Sequence, residues 1–281
     1  MTILLAVVAG LVTGRLLWVL LRPTIKAAPG LLRENHRGTL VPTAVGIVLP
    51  MSLLVVEAGR ALVATAGIGD GDGGPSARVA VIVAAVGFGL LGAVDDLVGT
   101  GDRRGFRGHL GALAAGRLTT GAAKLVIGAA VAVVAVTPAT GGSVARILAD
   151  AALVALAANL ANLLDRAPGR AGKAGLVGFA VLATATGRPP ALVAVAVVAG
   201  AAAALLLDDL HEHLMLGDAG ANVLGGTVGL GAVLVCAPAT RNLVLVVVAA
   251  LNLASEVVSF SRVIDAVPPL RALDRAGRRP R

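Results

Sequence analysis

Apolar residues run along this chain in long blocks, and the short stretches between them gather the glycines, prolines and charges. A helix that is apolar all round belongs in a membrane or a large core. About 20 such residues cross the roughly 30 Å of a bilayer's hydrocarbon. Nine blocks are predicted to do so, near residues 3–21, 41–58, 79–95, 121–137, 146–164, 174–187, 190–207, 220–237 and 243–261, the sixth being the shortest. Pro23, Pro75, Pro138, Pro189, Pro190, Pro238 and Pro268 stand at block edges, where a residue without a backbone N–H starts or stops a helix. No segment calls for a strand. The predicted fold class is all-α, a polytopic membrane helix bundle.

Composition sharpens this. With 57% hydrophobic and 14% charged residues and a mean hydropathy of +0.90, the chain is no soluble globular domain, which would be roughly a quarter charged. The aromatics are Trp18 and four phenylalanines, with no tyrosine, so interfacial aromatic belts are missing and Lys and Arg must set the orientation. Alternating connections split them 17 to 5, with Arg15 and Lys124 inside or at the edge of blocks. The richer set (22–40, 96–120, 165–173, 208–219 and the tail) is then cytoplasmic, the N-terminus outside and the C-terminus inside. The net charge of +8 is thereby assigned to a membrane surface rather than to nucleic acid. The first block has no basic residue before it and carries Arg15, so it reads as a mature helix and not a signal peptide. Residues 1–261 are expected as one transmembrane domain and 262–281 as a basic cytoplasmic tail; Gly67 to Gly74 reads as a flexible external loop. Cys236, in an apolar setting, reads as a buried inert thiol.

The acids carry the chemistry. Asp95 and Asp96 end the third block, Asp165 the fifth and Asp208 and Asp209 the seventh, while Asp218 opens the eighth, all at the cytoplasmic end. Acids can simply mark where helices leave the bilayer, but the other face has few: Glu57, Asp70, Asp72 and Asp150. Converging carboxylates suit Mg²⁺, which takes one or two of them plus water and phosphate oxygens. Asp95, Asp96, Asp165 and Asp218 are therefore expected within about 10 Å of one another. Asn159, Asn162 and Asp165 fall at i, i+3 and i+6, a polar stripe facing either a wet cavity or a neighbouring helix. Gly217-Asp218-Ala219-Gly220 opens a helix, where small residues and free N–H groups favour a phosphate and the Asp a metal; a plain N-cap is the alternative. Lys124 either snorkels or reaches a phosphate beside Asp95 and Asp96. His211, Glu212 and His213 read as surface-loop residues. Glu256 lies deep in the ninth block, and an intramembrane Glu is a functional candidate.

Asp95-Asp96, Asn159-x-x-Asn162-Leu-x-Asp165, Gly217-Asp218-x-Gly220 with Leu224-Gly225-Gly226, Pro42-Thr43 with Gly46, Lys124-Leu125, and Glu256 with Ser259 resemble, in order and spacing, the polyprenyl-phosphate N-acetylhexosamine-1-phosphate transferases. That superfamily (glycosyltransferase family 4) includes the muramoyl-pentapeptide and UDP-N-acetylglucosamine phosphate transferases of bacterial envelopes. The resemblance implies a plasma-membrane enzyme with its active site on the cytoplasmic face. It would move a sugar-1-phosphate from a UDP-N-acetylhexosamine or similar nucleotide sugar to a polyprenyl phosphate carrier, with Mg²⁺ as cofactor and UMP released. It further implies Asp218 as metal ligand, Asp95 as base with Asp96 in support, and Lys124, Asn159, Asn162, Asp165, Gly217 and Gly220 as substrate-binding residues. Its partners would be the lipid carrier, the nucleotide sugar and membrane lipids, with a homodimer compatible. Pro168 stands where the family has a second Asp, Asp208 where it has an Asn, and an arginine-rich end replaces its His-rich loop. These departures motivate a rival, a non-catalytic relative that binds polyprenyl phosphate or an envelope-synthesis partner. An ion-coupled transporter would carry its ionisable groups near the midplane.

Overall fold

The structure, a computed structural model, describes residues 1–35, 37–67, 74–98, 120–187 and 189–279. Most of the expected external loop, and residues 99–119 of the connection 96–120, lie outside the described residues.

Helix α1 (Ile3–Ala27) is capped by the Thr2 hydroxyl, which accepts from the Leu5 N–H at 3.3 Å. A hairpin follows, Leu32–Glu34 paired antiparallel with Leu40–Pro42, so the expectation of no strand is corrected. Two residues of turn chemistry, Asn35 and Gly38 (φ 73°), close it, and chemistry this short left no periodicity to read. A 3₁₀ turn, Val45–Ile47, leads into α2 (Val48–Thr65). Then come α3 (Pro75–Val98), α4 (Thr120–Val136), α5 (Val144–Leu164), α6 (Arg170–Ala185), α7 (Val193–Leu210), α8 (Gly217–Val235) and α9 (Pro238–Ser255). Two short helices finish the chain, α10 (Phe260–Ala266) and α11 (Pro268–Arg275).

The result is a helical bundle in which, among the described residues, seven helices are long and apolar enough to cross a membrane: α1, α2, α3, α5, α7, α8 and α9. The fourth and sixth expected spans are shorter helices, of 17 and 16 residues. The ninth expected span is corrected in register. Pro238 at the first turn starts α9 five residues before the apolar run, so the helix ends at Ser255. Glu256 stands at its end rather than deep within it.

Helix α8 is the axis: 72% of its apolar window is buried, against 6% for α9. Small residues let the backbones approach, as they do between helices in lipid. A Cβ on Gly225 would fall 2.2 Å from the Ala157 carbonyl of α5, and one on Gly92 of α3 would fall 2.3 Å from that of Asp218. Likewise Gly10 and Gly14 of α1 lie against Val197 and Ala201 of α7. The order of these contacts fixes directions. α1 runs parallel to α7 and α6 parallel to α8, whereas α3 and α5 run against α8. Asp95, Asp96, Asp165, Asp209 and Asp218 therefore come to one end of the bundle.

Candidate active site

At that end the Asp pair divides its labour. The Asp96 carboxylate accepts from the N–H groups of Asp218 (3.1 Å) and Ala219 (3.0 Å), so it caps α8, whose first N–H groups have no partner within the helix. Asp95 faces the other way, onto Lys124 Nζ at 2.9 Å. The same ammonium bonds the Asp218 carboxylate, and the Asp95 and Asp218 carboxyl groups lie within hydrogen-bonding reach of each other. Residues from α3, α4 and α8 thus meet at one point. The Asp165 carboxyl stands just past the end of α5, on the residue that caps it. Burial pushes its pKa well above the usual range, and the charges of Asp209, Asp218 and Asp96 push it further.

The glycines make this convergence possible by admitting protein groups. Gly217 (φ 71°) has the Asp96 Oδ2 2.6 Å from where its Cβ would be, and Gly220 packs against Gly46, whose own Cβ would lie 2.1 Å from the Gly220 Cα. The 3₁₀ turn is pinned to the loop before α8, Gly46 donating to the Leu216 carbonyl at 2.9 Å and Met215 to that of Pro42 at 2.7 Å. Pro42-Thr43, Gly46 and Gly217-Asp218-x-Gly220 are therefore one packed unit. The asparagine stripe bridges helices: Asn159 Nδ2 donates to Asn252 of α9 at 2.7 Å and Asn162 Nδ2 to Asn222 of α8 at 3.3 Å.

Two hollows adjoin. A polar pocket of about 340 Å³ is lined by Asp96, Asp165, Asp209, Asp218, Glu34 and Glu212 together with Thr43, Pro168 and Gly217. An apolar cavity of about 560 Å³ runs between α5, α6, α8 and α9, from Ala161, Leu164 and Ala174 to Cys236 and Thr240. The half-buried Cys236 is thus a lining residue. The consecutive residues Leu164 and Asp165 border the two hollows. Asp208, in contrast, turns away to Arg15 Nη1 (2.5 Å), Trp18 Nε1 (3.1 Å) and His213 Nδ1 (3.1 Å). Sequence reasoning missed Glu34 and took Glu212 for a surface residue. Glu212 is held by Asn35 at 2.8 Å and Arg37 at 3.0 Å, and its left-handed φ of 59° was the kind of strain that gathers at sites but leaves no sequence signal.

Among the described residues no three His, Cys, Asp or Glu side chains are grouped to hold a metal by themselves. What the site offers is two carboxylates converging on one cation, with hard oxygen donors only. This fits Mg²⁺, which binds through one or two carboxylates and completes its shell with water and phosphate, and not a metal needing a full protein cage. No protein-family model matches the chain, and no curated protein matches it.

Proposed function

We propose that the protein transfers a sugar-1-phosphate from a UDP-N-acetylhexosamine or similar nucleotide sugar to a polyprenyl phosphate in the plasma membrane, with the acidic end in the cytoplasm. One observation carries this reading: an acidic pocket, whose Asp218 is paired with Lys124, abuts an apolar cavity between the helices across the single peptide link Leu164–Asp165. A ligand with a phosphate head and a long hydrocarbon tail matches that pair of hollows. Carboxylates alone would repel phosphate, so a cation must be part of the bound state.

Asp218 would hold Mg²⁺, which would supply charge neutralisation for phosphoryl transfer when bound. Lys124 adds a second positive charge at the same point. Asp95 is the group that takes the proton from the lipid phosphate. One of that phosphate's oxygens bonds to the β-phosphorus of the nucleotide sugar as the bond to the α-phosphate oxygen breaks, and UMP leaves. Asp96 holds α8 and hence Asp218 in place. Asp165, whose ionisation burial and the neighbouring acids oppose, adds less negative charge to the pocket than an exposed carboxylate would.

The test is purified protein with polyprenyl phosphate, Mg²⁺ and a panel of UDP-sugars, read as UMP release. The expected result is UMP release that depends on both Mg²⁺ and the lipid. Lack of turnover with every sugar, together with saturable binding of polyprenyl phosphate, would instead support the rival reading of a non-catalytic relative, which Pro168 in place of a second Asp favours.

A further inference from the structure

The end of the chain, expected as a separate basic tail, folds back onto the site. Arg170, 8% exposed at the start of α6, makes a two-pronged contact with the equally buried Asp274, Nε to Oδ1 at 2.8 Å and Nη2 to Oδ2 at 3.1 Å. Its remaining Nη1 donates to Ser261 Oγ at 2.9 Å. Lys173 Nζ donates to the carbonyls of Leu273 (2.9 Å), Asp274 (2.8 Å) and Ala276 (2.9 Å), carbonyls that the end of a helix leaves without a partner. Gly277 (φ 76°) then turns the chain against Leu210. Arg278 Nε donates to the Pro168 carbonyl at 2.9 Å and Nη2 to Asp274 Oδ1 at 2.5 Å, and its charge reaches Asp209. Arg279 meets His213 Nε2 at 2.7 Å. The segments so gripped carry Pro168, Asp209 and Glu212, which line the polar pocket. An exposed ion pair is worth little, but a buried, two-pronged pair extended by further cations is geometrically exacting and costly to break.

We propose that Phe260–Arg279 is a latch that fixes two walls of the acidic pocket, with Arg278 as a positioning residue acting through Pro168 and Asp209. The latch touches no ligand. It holds the loop Asp165–Gly169 against Asp209 and supplies a cation behind two carboxylates that repel each other. Only the identity of the pocket's ligand rests on the function proposed above.

The experiment uses full-length protein in lipid nanodiscs, with Cys236→Ala and a probe cysteine at Ala167 on the pocket wall. The readout is the rate of labelling by a water-soluble maleimide. Asp274→Arg is expected to speed labelling at least about tenfold, because breaking a buried pair removes more free energy than that factor needs. The swapped pair Arg170→Asp with Asp274→Arg restores the slow rate, a rescue that mere damage to folding would not give. Arg278→Ala speeds labelling to a lesser degree, and Arg275→Ala, whose partner is the exposed Asp265, leaves it unchanged. Equal labelling of wild type, Asp274→Arg and Arg278→Ala would overturn the latch. In parallel, UDP-N-acetylglucosamine binding is measured with Mg²⁺. Labelling that follows the latch while wild type binds no nucleotide sugar keeps the latch and removes the substrate reading.

Discussion

The two ends of the bundle treat their carboxylates in opposite ways. At the end away from the pocket, Asp150 is fully buried and faces two arginines, Arg146 and, at 2.7 Å, Arg241, with Thr140 at 3.1 Å. Glu57 there faces Arg60 at 3.0 Å and Arg78 at 3.9 Å. At the pocket end Asp95 and Asp218 share one Lys124, Asp96 spends its oxygens on a helix terminus, and Asp165 sits among other acids. An acid matched by two guanidinium groups is a closed structural joint between elements. Among the described residues the acids lining the pocket outnumber the cations, an arrangement that makes sense where a cation and a phosphate complete the set.

Substitutions can break or sharpen this contrast. Asp150→Ala removes a fully buried acid from two half-buried arginines, and should cost roughly 3 kcal/mol in thermal unfolding followed in detergent. Asp165→Asn should go the other way. The group is already driven toward its neutral form, so the variant should unfold at the same or a higher temperature while losing any activity, the trade expected of a functional site. The sign of the pH dependence differs in the same manner. Asp165 holds its proton in the folded state to a higher pH than in the unfolded chain, so its contribution to stability falls as pH rises above the usual carboxylate range. For Asp274, burial opposes ionisation, but the Arg170 hydrogen bond and the charges of Arg170, Arg278 and Lys173 outweigh it and hold its pKa low. Its contribution is present above the ordinary pKa and is lost as pH falls toward the lowered one. Unfolding of Asp165→Asn and Asp274→Asn across pH should flatten opposite slopes. The smallest effect is expected for Glu256→Gln, within about 0.5 kcal/mol, since Glu256 lies at a helix end.

The bundle and the acidic cluster were legible because apolar blocks end where carboxylates begin, and four such ends need only share a depth to meet. Lys124 was legible too, as a charge inside an apolar block. Which of the adjacent Asp95 and Asp96 faces the cluster was not, because that depends on the rotation of α3 against α8. The depth of Glu256 failed because Pro238 was read only as a block edge, whereas α9 starts at it and ends at Ser255, short of the apolar run's end. The hairpin at Leu32–Pro42 and the Arg170–Asp274 latch rest on contacts between distant residues, the latter 104 apart, for which no local pattern exists.

The central claim is that the acidic end, and not the opposite one, is built for a cation with its phosphate ligands. Calorimetric titration of the protein in lipid nanodiscs with Mg²⁺, in the presence of a UDP-sugar, tests it most directly. Saturable Mg²⁺-dependent binding is predicted in wild type and in Arg241→Lys at the far end, and its loss in Asp218→Asn. Binding that survives Asp218→Asn unchanged, or no binding in wild type, would contradict the account.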